Sequence, residues 1–399
     1  MDINSFVIGH SKGYKKGIAK GGLLSMEEND AGGMTYKLTG AESKGADLNI
    51  AYGDIAPENT NKLWVKIAEP SEVEITPFAE YEVVGGATET ISKLSYNFPV
   101  AKNSMGASAV DNCIYVVGGN SDGGYTNTIY KYDVTNETIT LCQPVLEDKV
   151  TGPSCCAVGK NVYIFGGAKS SSDGGGTDKI YRFDTSTETL TKLNTCLPTP
   201  SCFQACVPVG TKIYLLGGAN GSASGTTSNE ICCFDTITES IETLSVILPA
   251  PLFYMAYGIV GNNIYLLGGM TKTSSTRSKS IYRFNVLTHT VDTMSASLPV
   301  ATDGMAFCTY GQYIYTLGGW QSGVISTIYK YDTKTDAITT LSIKLPVPLM
   351  SMACETIGAT TYLISGGGGT GGSTRYDSIV VFKGGFERVK LAEGKVQIV

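Results

Sequence analysis

Six similar segments recur along this chain at a nearly constant spacing, and this repeat is the feature that most limits its fold. Residues 264–269 show the pattern, Ile-Tyr-Leu-Leu-Gly-Gly. The first glycine of each doublet stands at 118, 166, 217, 268, 318 and 366, which gives a period of 48 to 51 residues. Self-similarity at a fixed period indicates one supersecondary unit repeated along the chain. We therefore expect six copies of one unit.

Each unit contains four runs that are typical of β-strands. In the fourth copy these are 253–260, 264–269, the segment around Tyr282 and Phe284, and 291–298. The runs are short, rich in β-branched and aromatic residues, and bounded by Gly, Asn and Pro, as strands usually are. The sequence predicts an all-β chain built from four-stranded antiparallel units.

An aromatic residue followed by an acid or amide occurs in the third strand of five units. The pairs are Tyr132-Asp133, Phe183-Asp184, Phe234-Asp235, Phe284-Asn285 and Tyr331-Asp332. With the glycine doublets, these pairs make the region resemble the Kelch repeat. The resemblance implies a six-bladed β-propeller over residues 87–383. Seven residues after each aromatic, where the family usually has Trp, this chain has Ile139, Leu190, Ile241, Val291 and Ile338. We expect these smaller residues to fill the space between blades.

The sixth copy lacks a fourth strand of its own pattern, which raises the question of how the ring closes. Residues 89–99 match the fourth-strand segments of the other units but precede the first full repeat. We predict that residues 91–95 pair with 379–382, so that no sheet edge is left open. The alternative is that residues 387–391 supply the strand.

The charge distribution argues against nucleic-acid and membrane partners for the propeller. The net charge is −6, of which residues 1–86 carry −5. The rest is almost neutral, without the basic stripe that binding to nucleic acid requires. Neither a signal peptide nor an apolar run of about 18 residues is seen, so we expect folding in the cytoplasm of the producing cell.

The 11 cysteines are odd in number and scattered, which predicts free thiols and no metal.

The N-terminal region differs in character from the repeats. Residues 1–21 have glycines at 9, 13, 17 and 21 and are predicted to form a short helix or arm. Residues 22–86 are predicted to form a small β-rich module, with strands at 34–38, 47–52, 63–67 and 73–75, and residues 384–399 a C-terminal tail. The stretch 53–74 resembles modules that precede Kelch repeats in Gram-positive bacteria and their phages. This resemblance implies a tail-associated or appendage protein. The glycine stripe, the acidic charge of residues 1–86 and the loop asymmetry of the propeller predict that residues 1–86 mediate assembly into a homo-oligomer.

Loop lengths single out one side of the predicted disc as the binding face. The long loops at 120–127, 168–179, 219–230, 270–279, 320–327 and 368–377 emerge on the same side as the connections between blades, whereas the other side has tight turns. Loops held by rigid strands commonly carry recognition. The candidate binding residues on this long-loop face are Trp320, Tyr125, Phe203, Phe253, Tyr254, Arg277, Arg375 and Tyr376.

Enzyme chemistry is the competing interpretation. Copper radical oxidases with Kelch propellers need two His ligands, but His10 and His289, the only histidines, lie in the arm and in a turn on the opposite face. A sialic acid mutarotase would need acid/base groups in the central funnel, for which Asp303 and Glu355 are candidates. The sequence favours a non-enzymatic protein without a cofactor, a virion component that binds a protein or a host-surface glycan. A bacterial intracellular Kelch interaction protein is the alternative.

Overall fold

The computed structural model describes residues 81–169, 175–221, 226–271 and 276–391, with side chains from Thr88 to Gly385 outside the gaps, and five earlier strands. The chain divides into two compact units. One comprises Met1–Ala87 with Phe386–Val399, and the other Thr88–Gly385. Among the described residues no helix is long and apolar enough to cross a membrane.

The first unit is also built from β-strands where it is described. An antiparallel sheet follows the chain order through Gly17–Ala19, Gly22–Glu28, Met34–Gly40, Leu48–Tyr52 and Lys66–Ile67. Three of the four predicted strands overlap these, and 73–75 lies outside the described residues. Residues 17–19 are a strand and not a helix, while residues 1–16, 20 and 21 lie outside the described residues.

The second unit consists of six four-stranded antiparallel sheets, the six blades, and it confirms the predicted propeller architecture. The strands, blade by blade, are Gly106–Val110, Cys113–Val117, Ile129–Asp133 and Thr138–Leu141; Ser154–Val158, Asn161–Phe165, Lys179–Asp184 and Thr189–Cys196; Ala205–Val209, Lys212–Leu216, Glu230–Asp235 and Ser240–Ile247; Ala256–Val260, Asn263–Leu267, Ser280–Asn285 and Thr290–Ser297; Ala306–Tyr310, Tyr313–Leu317, Thr327–Asp332 and Ala337–Lys344; Ala353–Ile357, Thr360–Gly368, Thr374–Lys383 and Thr90–Asn97.

The sixth blade is completed by the N-terminal strand, as predicted. Phe382 is opposite Ile91 and Val381 is opposite Ser92 in an antiparallel register. The alternative strand, Phe386–Leu391, pairs with Tyr81–Ala87 in the other unit. The predicted C-terminal tail at 384–399 is therefore wrong for residues 386–391, because they form a strand that pairs with residues 81–87.

Hydrophobic cores form between blades, not within them. Six clusters each combine side chains of two neighbouring blades. In each, a tyrosine of one second strand meets the third-strand aromatic of the next blade, with ring centroids 5.1 to 5.7 Å apart. The predicted apolar plugs are confirmed, since each lies in one of these cores: Ile139, Leu190, Ile241, Val291 and Ile338.

The acid or amide that follows each third-strand aromatic stabilises a turn. Asp184 Oδ1 accepts hydrogen bonds from the backbone N–H groups of Ser186 and Thr187. The same bonds recur at Asp133, Asp235, Asn285 and Asp332. These residues organise the tight turn between the third and fourth strands. The aromatic joins two blades, and its neighbour shapes the hairpin.

The glycine doublet ties each blade to the connection that leads to the next one. Gly318 has φ 65°, and a Cβ there would collide with the carbonyl oxygen of Leu349. The N–H of Gly319 donates to that same oxygen at 2.8 Å. Equivalent bonds link the doublets of the first four blades to Val150, Ser201, Leu252 and Thr302.

In the sixth blade the doublet is displaced by one residue from the position that the sequence suggested. Ile364 pairs with Ile379 as Leu317 pairs with Ile328, so Ser365 takes the first position of the doublet. Ser365 has φ 60° and is fully buried, and its hydroxyl has no hydrogen-bond partner among the described residues. A serine thus stands where the other five blades have glycine.

We predict that Ser365→Gly stabilises the propeller by about 1 kcal/mol. The change relieves the left-handed conformation and removes a buried hydroxyl without a partner, which together outweigh the greater freedom of glycine in the unfolded chain. Urea denaturation measures the difference. Gly318→Ala is the matched control and should destabilise clearly, because its Cβ meets the Leu349 carbonyl. Lower stability of Ser365→Gly would contradict the assignment of the doublet.

Lys102 is a buried cation without an acidic partner among the described residues. Its side chain is 2% exposed, and Nζ donates to Thr128 Oγ1 at 2.9 Å and Thr126 Oγ1 at 3.1 Å. The ring of Tyr130 lies 4.9 Å away. Burial lowers the pKa of Lys102 from 10.5 to about 8. Folding therefore opposes protonation of this amine.

We predict that Lys102→Met raises the free energy of unfolding near neutral pH, by at most about 3 kcal/mol. The unfolded lysine keeps its proton up to about pH 10.5, so the penalty is complete below pH 8 and disappears as the pH rises through this window. The advantage of the variant should shrink in the same window, as followed by denaturation at several pH values. Lys93→Met, at an exposed position, is the control. An equal difference at all pH values would contradict the mechanism.

Candidate functional site

Six residues, one from each connection between blades, form a closed ring of backbone hydrogen bonds around the central axis. They are Ser104, Gly152, Phe203, Tyr254, Gly304 and Ser351. Each N–H donates to the carbonyl oxygen of the preceding member, and the N···O distances are 2.7 to 3.1 Å. All six have φ between 55° and 63°. The left-handed conformation turns each connection inward at the same point.

Two aromatic side chains of this ring lie over its opening. Tyr254 reaches across to its opposite member, and its hydroxyl hydrogen bonds to Ser104 Oγ. The ring of Phe203 stacks on that of Tyr254 with centroids 4.0 Å apart, and it also lies against Gly152. These predicted binding residues thus close the channel at the long-loop face.

A cavity of about 120 Å³ lies beneath the ring. The inner strands line it, with Met105, Met255, Met305 and Met352 next to the ring members. Further along the axis the lining includes Tyr257, Phe307 and Glu355, together with Cys155 and Cys354. Tyr257 and Phe307 pack with ring centroids 4.0 Å apart.

Glu355 is the acid of this cavity. Burial raises its pKa to about 8, even though backbone N–H groups of Ala109 and Thr356 donate to it and lower the pKa. Asp303, the other predicted acid, is not among the cavity-lining residues. The structure therefore does not bring Asp303 and Glu355 together into an acid/base pair.

Asp303 belongs instead to a cluster with Arg277 and Trp320 on the long-loop face. Arg277 Nε donates to Asp303 Oδ1, and the guanidinium carbon lies 5.9 Å from the Trp320 ring centroid. Backbone bonds of 2.8 and 3.1 Å join Asp303 to Trp320. The Asp303 side chain is 6% exposed and that of Arg277 22%. Burial raises the pKa of Asp303, and Arg277 opposes this rise.

The other predicted residues are dispersed. Arg375 Nη1 donates to Asp122 Oδ1 at 2.7 Å across the first and sixth blades. Phe253 is only 4% exposed and packs in a small cluster with Cys202 and other residues, so its ring is not presented on the surface. Tyr376 packs against the core between the fifth and sixth blades, and Tyr125 is half-buried in a short hairpin.

The described residues contain no group of three His, Cys, Asp or Glu side chains placed to hold a metal ion. All eleven cysteines are free thiols, and eight of them are buried. Burial raises the pKa of Cys202 and of Cys308 to about 12. These thiols are therefore poor nucleophiles near neutral pH.

Sequence reasoning missed the hydrogen-bonded ring, although a signal for it exists. Each ring member precedes the first residue of its doublet by 14 positions, provided Ser365 is taken as that residue in the sixth blade. Their side chains differ, so a search for chemical types passes over them. Gln204, Tyr257 and Phe307 were missed for the same reason.

Comparisons with known proteins agree with this architecture. The family profile described as "KLHDC2/KLHL20/DRC7 Kelch-repeats domain" matches residues 152–368, and a Kelch motif matches residues 101–138. Kelch domain-containing protein 3 of Homo sapiens is 32% identical over 178 residues, and that of Bos taurus 31% over 177. Each alignment covers 40% of this chain and 45% of the relative.

A solved structure, "Structure of YjhT", shares the fold, with a TM-score of 0.63 at 14% identity. The match covers 74% of this chain and 99% of that one. Because the identity is low, this similarity concerns the fold alone.

The family profile spans more than half of the chain, across five of the six blades. This chain belongs to the KLHDC2/KLHL20/DRC7 Kelch-repeats domain family.

Proposed function

We propose that this chain is a non-enzymatic interaction protein that binds an acidic peptide segment of a partner through its long-loop face. The observation that carries the proposal is the cluster of Arg277, Asp303 and Trp320. A Kelch propeller supports a role in protein interaction, and this cluster gives that role a location and a chemistry.

The guanidinium of Arg277 is oriented, and the described residues leave part of its hydrogen-bonding capacity unused. Nε is held by Asp303, whereas Nη1 and Nη2 have no partner among the described residues. Two parallel N–H groups fit a carboxylate in bidentate geometry, which is stronger than a neutral hydrogen bond. The buried Asp303 fixes the fork, so little side-chain entropy is lost on binding.

Trp320 supplies an apolar surface beside this fork. The indole is half-buried and contacts Gly372 in the neighbouring loop of the sixth blade. Tryptophan and arginine are the residues that most often dominate binding energy at protein interfaces. A peptide with a carboxylate next to an apolar side chain would use both groups.

An enzymatic role is less well supported by the arrangement of acids. Asp303 is engaged by Arg277 on the long-loop face, and Glu355 lies in the cavity. Acid/base catalysis on a sugar needs groups that reach one substrate together. We therefore propose binding without turnover.

Selection of peptides from a random library on the full chain tests the peptide proposal. We expect enrichment of sequences that contain Asp or Glu next to an apolar residue. Arg277→Ala and Trp320→Ala should each weaken the selected peptides about tenfold or more. Arg283→Ala is the matched control, because Arg283 also pairs with an acid, Asp292, but lies in a strand of the same blade.

Unchanged peptide affinity in both Arg277→Ala and Trp320→Ala would refute this site. Enrichment of peptides without acidic residues would refute the proposed chemistry. Binding of host-surface glycans in an array, abolished by Trp320→Ala, would favour the glycan alternative over a peptide.

We further propose that residues 1–86 attach the chain to a virion or a phage-tail-like particle. Two observations support this proposal. Residues 53–74 resemble modules in phage proteins, and residues 1–86 are acidic whereas the propeller is nearly neutral. The propeller closes its own sheets into a ring, so it needs no second copy to cover a sheet edge.

We predict that deletion of residues 1–21 abolishes oligomerisation or incorporation into particles and leaves propeller unfolding nearly unchanged. Light scattering and immunogold imaging of particles provide the readouts. A chain limited to residues 88–385 should be a monomer. The proposal fails if that shorter chain forms the same oligomer as the full chain.

A further inference from the structure

We infer that the central cavity beneath Tyr254 is a binding site for a small primary ammonium ion, with Glu355 as its counter-ion. The inference is independent of the proposed peptide site, which lies on the long-loop face. It depends on the shape of the cavity, the polarity of its lining and its aromatic walls.

The cavity is closed at the long-loop end. Tyr254 crosses the hydrogen-bonded ring to reach Ser104, and Phe203 covers the remaining space over Gly152. A ligand would therefore enter along the axis from the face with the tight turns. The volume of about 120 Å³ corresponds to about four water molecules at about 30 Å³ each, which suits a small organic ion.

Glu355 is the charged hydrogen-bond acceptor of the lining and lacks a matching donor side chain among the described residues. Glu355 receives only the two backbone N–H groups described above, with no cationic side chain contributing to its environment. The amide of Gln204 is turned to the carbonyl of Gly217, and its Oε1 has almost no accessible surface, so it does not face the cavity. The lining contains no Lys, Arg or His.

A ligand that matches this lining brings donors and a positive charge. An isolated carboxylate enclosed by protein is costly unless it is paired or protonated. Without a ligand, Glu355 responds by holding its proton to about pH 8. An ammonium ion would instead pair with the ionised form.

The aromatic walls favour an organic ammonium over a metal ion. The rings of Tyr257 and Phe307 line the same cavity as Glu355, and aromatic faces attract cations. Calcium requires six to eight oxygen ligands, which a dedicated oxygen cage supplies. Glu355 is the one carboxylate among the cavity-lining residues.

The titratable groups near Glu355 are uncharged around neutral pH, so Glu355 determines the charge of the cavity. Cys155, Cys206, Cys354 and Tyr257 all interact electrostatically with it, and burial raises the pKa of each. They stay neutral up to pH 9. Ionisation of Glu355 is thus the change that a cationic ligand would couple to between pH 6 and 9.

Thermal unfolding of the full chain with ethylammonium chloride tests the site. At about 50 mM we expect Tm to rise by about 2 °C or more relative to an equal concentration of sodium chloride. The rise should be larger at about pH 9 than at about pH 6.5, since Glu355 is ionised above its pKa while an alkylammonium keeps its proton up to about pH 10. Saturation-transfer NMR should detect contact of the ethyl protons with the protein.

Glu355→Gln should abolish both the Tm rise and the saturation transfer, and Phe307→Leu, which removes an aromatic wall, should reduce them. Propan-1-ol is the neutral control of similar size and should have no effect. The inference is overturned if sodium chloride or propan-1-ol gives an equal rise, or if Glu355→Gln responds as the natural chain does. If Glu355→Gln does not fold, an unchanged response in Phe307→Leu would overturn it.

Discussion

The structure depends on packing between neighbouring blades, because no blade has a hydrophobic core of its own. Each core combines a second-strand tyrosine with the third-strand aromatic of the next blade, as Tyr163 and Phe234 do at 5.6 Å. A blade without its neighbour would expose this face. The ring must therefore close, and the strand at Thr90–Asn97 closes it by completing the sixth blade. Glu89 reinforces this junction with an ion pair to Lys330 at 3.0 Å and a hydrogen bond from Tyr315.

Backbone conformation sets the inner and long-loop sides of the disc. The glycine doublets allow the connections to approach the second strands, and the left-handed residues then turn each connection toward the axis. Their backbone groups bond to one another, so these bonds require no particular side chain at the six positions. The side chains of Tyr254 and Phe203 close the channel, and the Phe203 ring occupies the place that a Cβ at Gly152 would need. The same framework pairs Asp303, in the connection before the fifth blade, with Trp320, in the long loop of that blade, and Asp303 fixes the orientation of Arg277.

These features give the propeller two distinct environments for binding. The long-loop face offers an oriented guanidinium beside an indole, which suits an acidic partner. The cavity offers an enclosed acid among aromatic rings, which suits a small cation. The long-loop face suits a negative ligand and the cavity a positive one, because the described residues leave groups in each environment without partners of that charge. Among the described residues, Arg277 keeps donors without acceptors, and Glu355 lacks a cationic donor.

Local patterns in the sequence determined the blade count, the four strands and the closing strand, because strand alternation, turn residues and a fixed period are encoded within about 50 residues of chain. The exposure of particular side chains was decided by neighbouring blades. Phe253 and Tyr376 were predicted on the surface, yet both pack into clusters that include side chains of neighbouring repeats. Ser365 in place of glycine and the reach of Tyr254 to Ser104 likewise depend on contacts between residues far apart in sequence. Such contacts exist only once the ring has closed, because closure brings the first and last blades together.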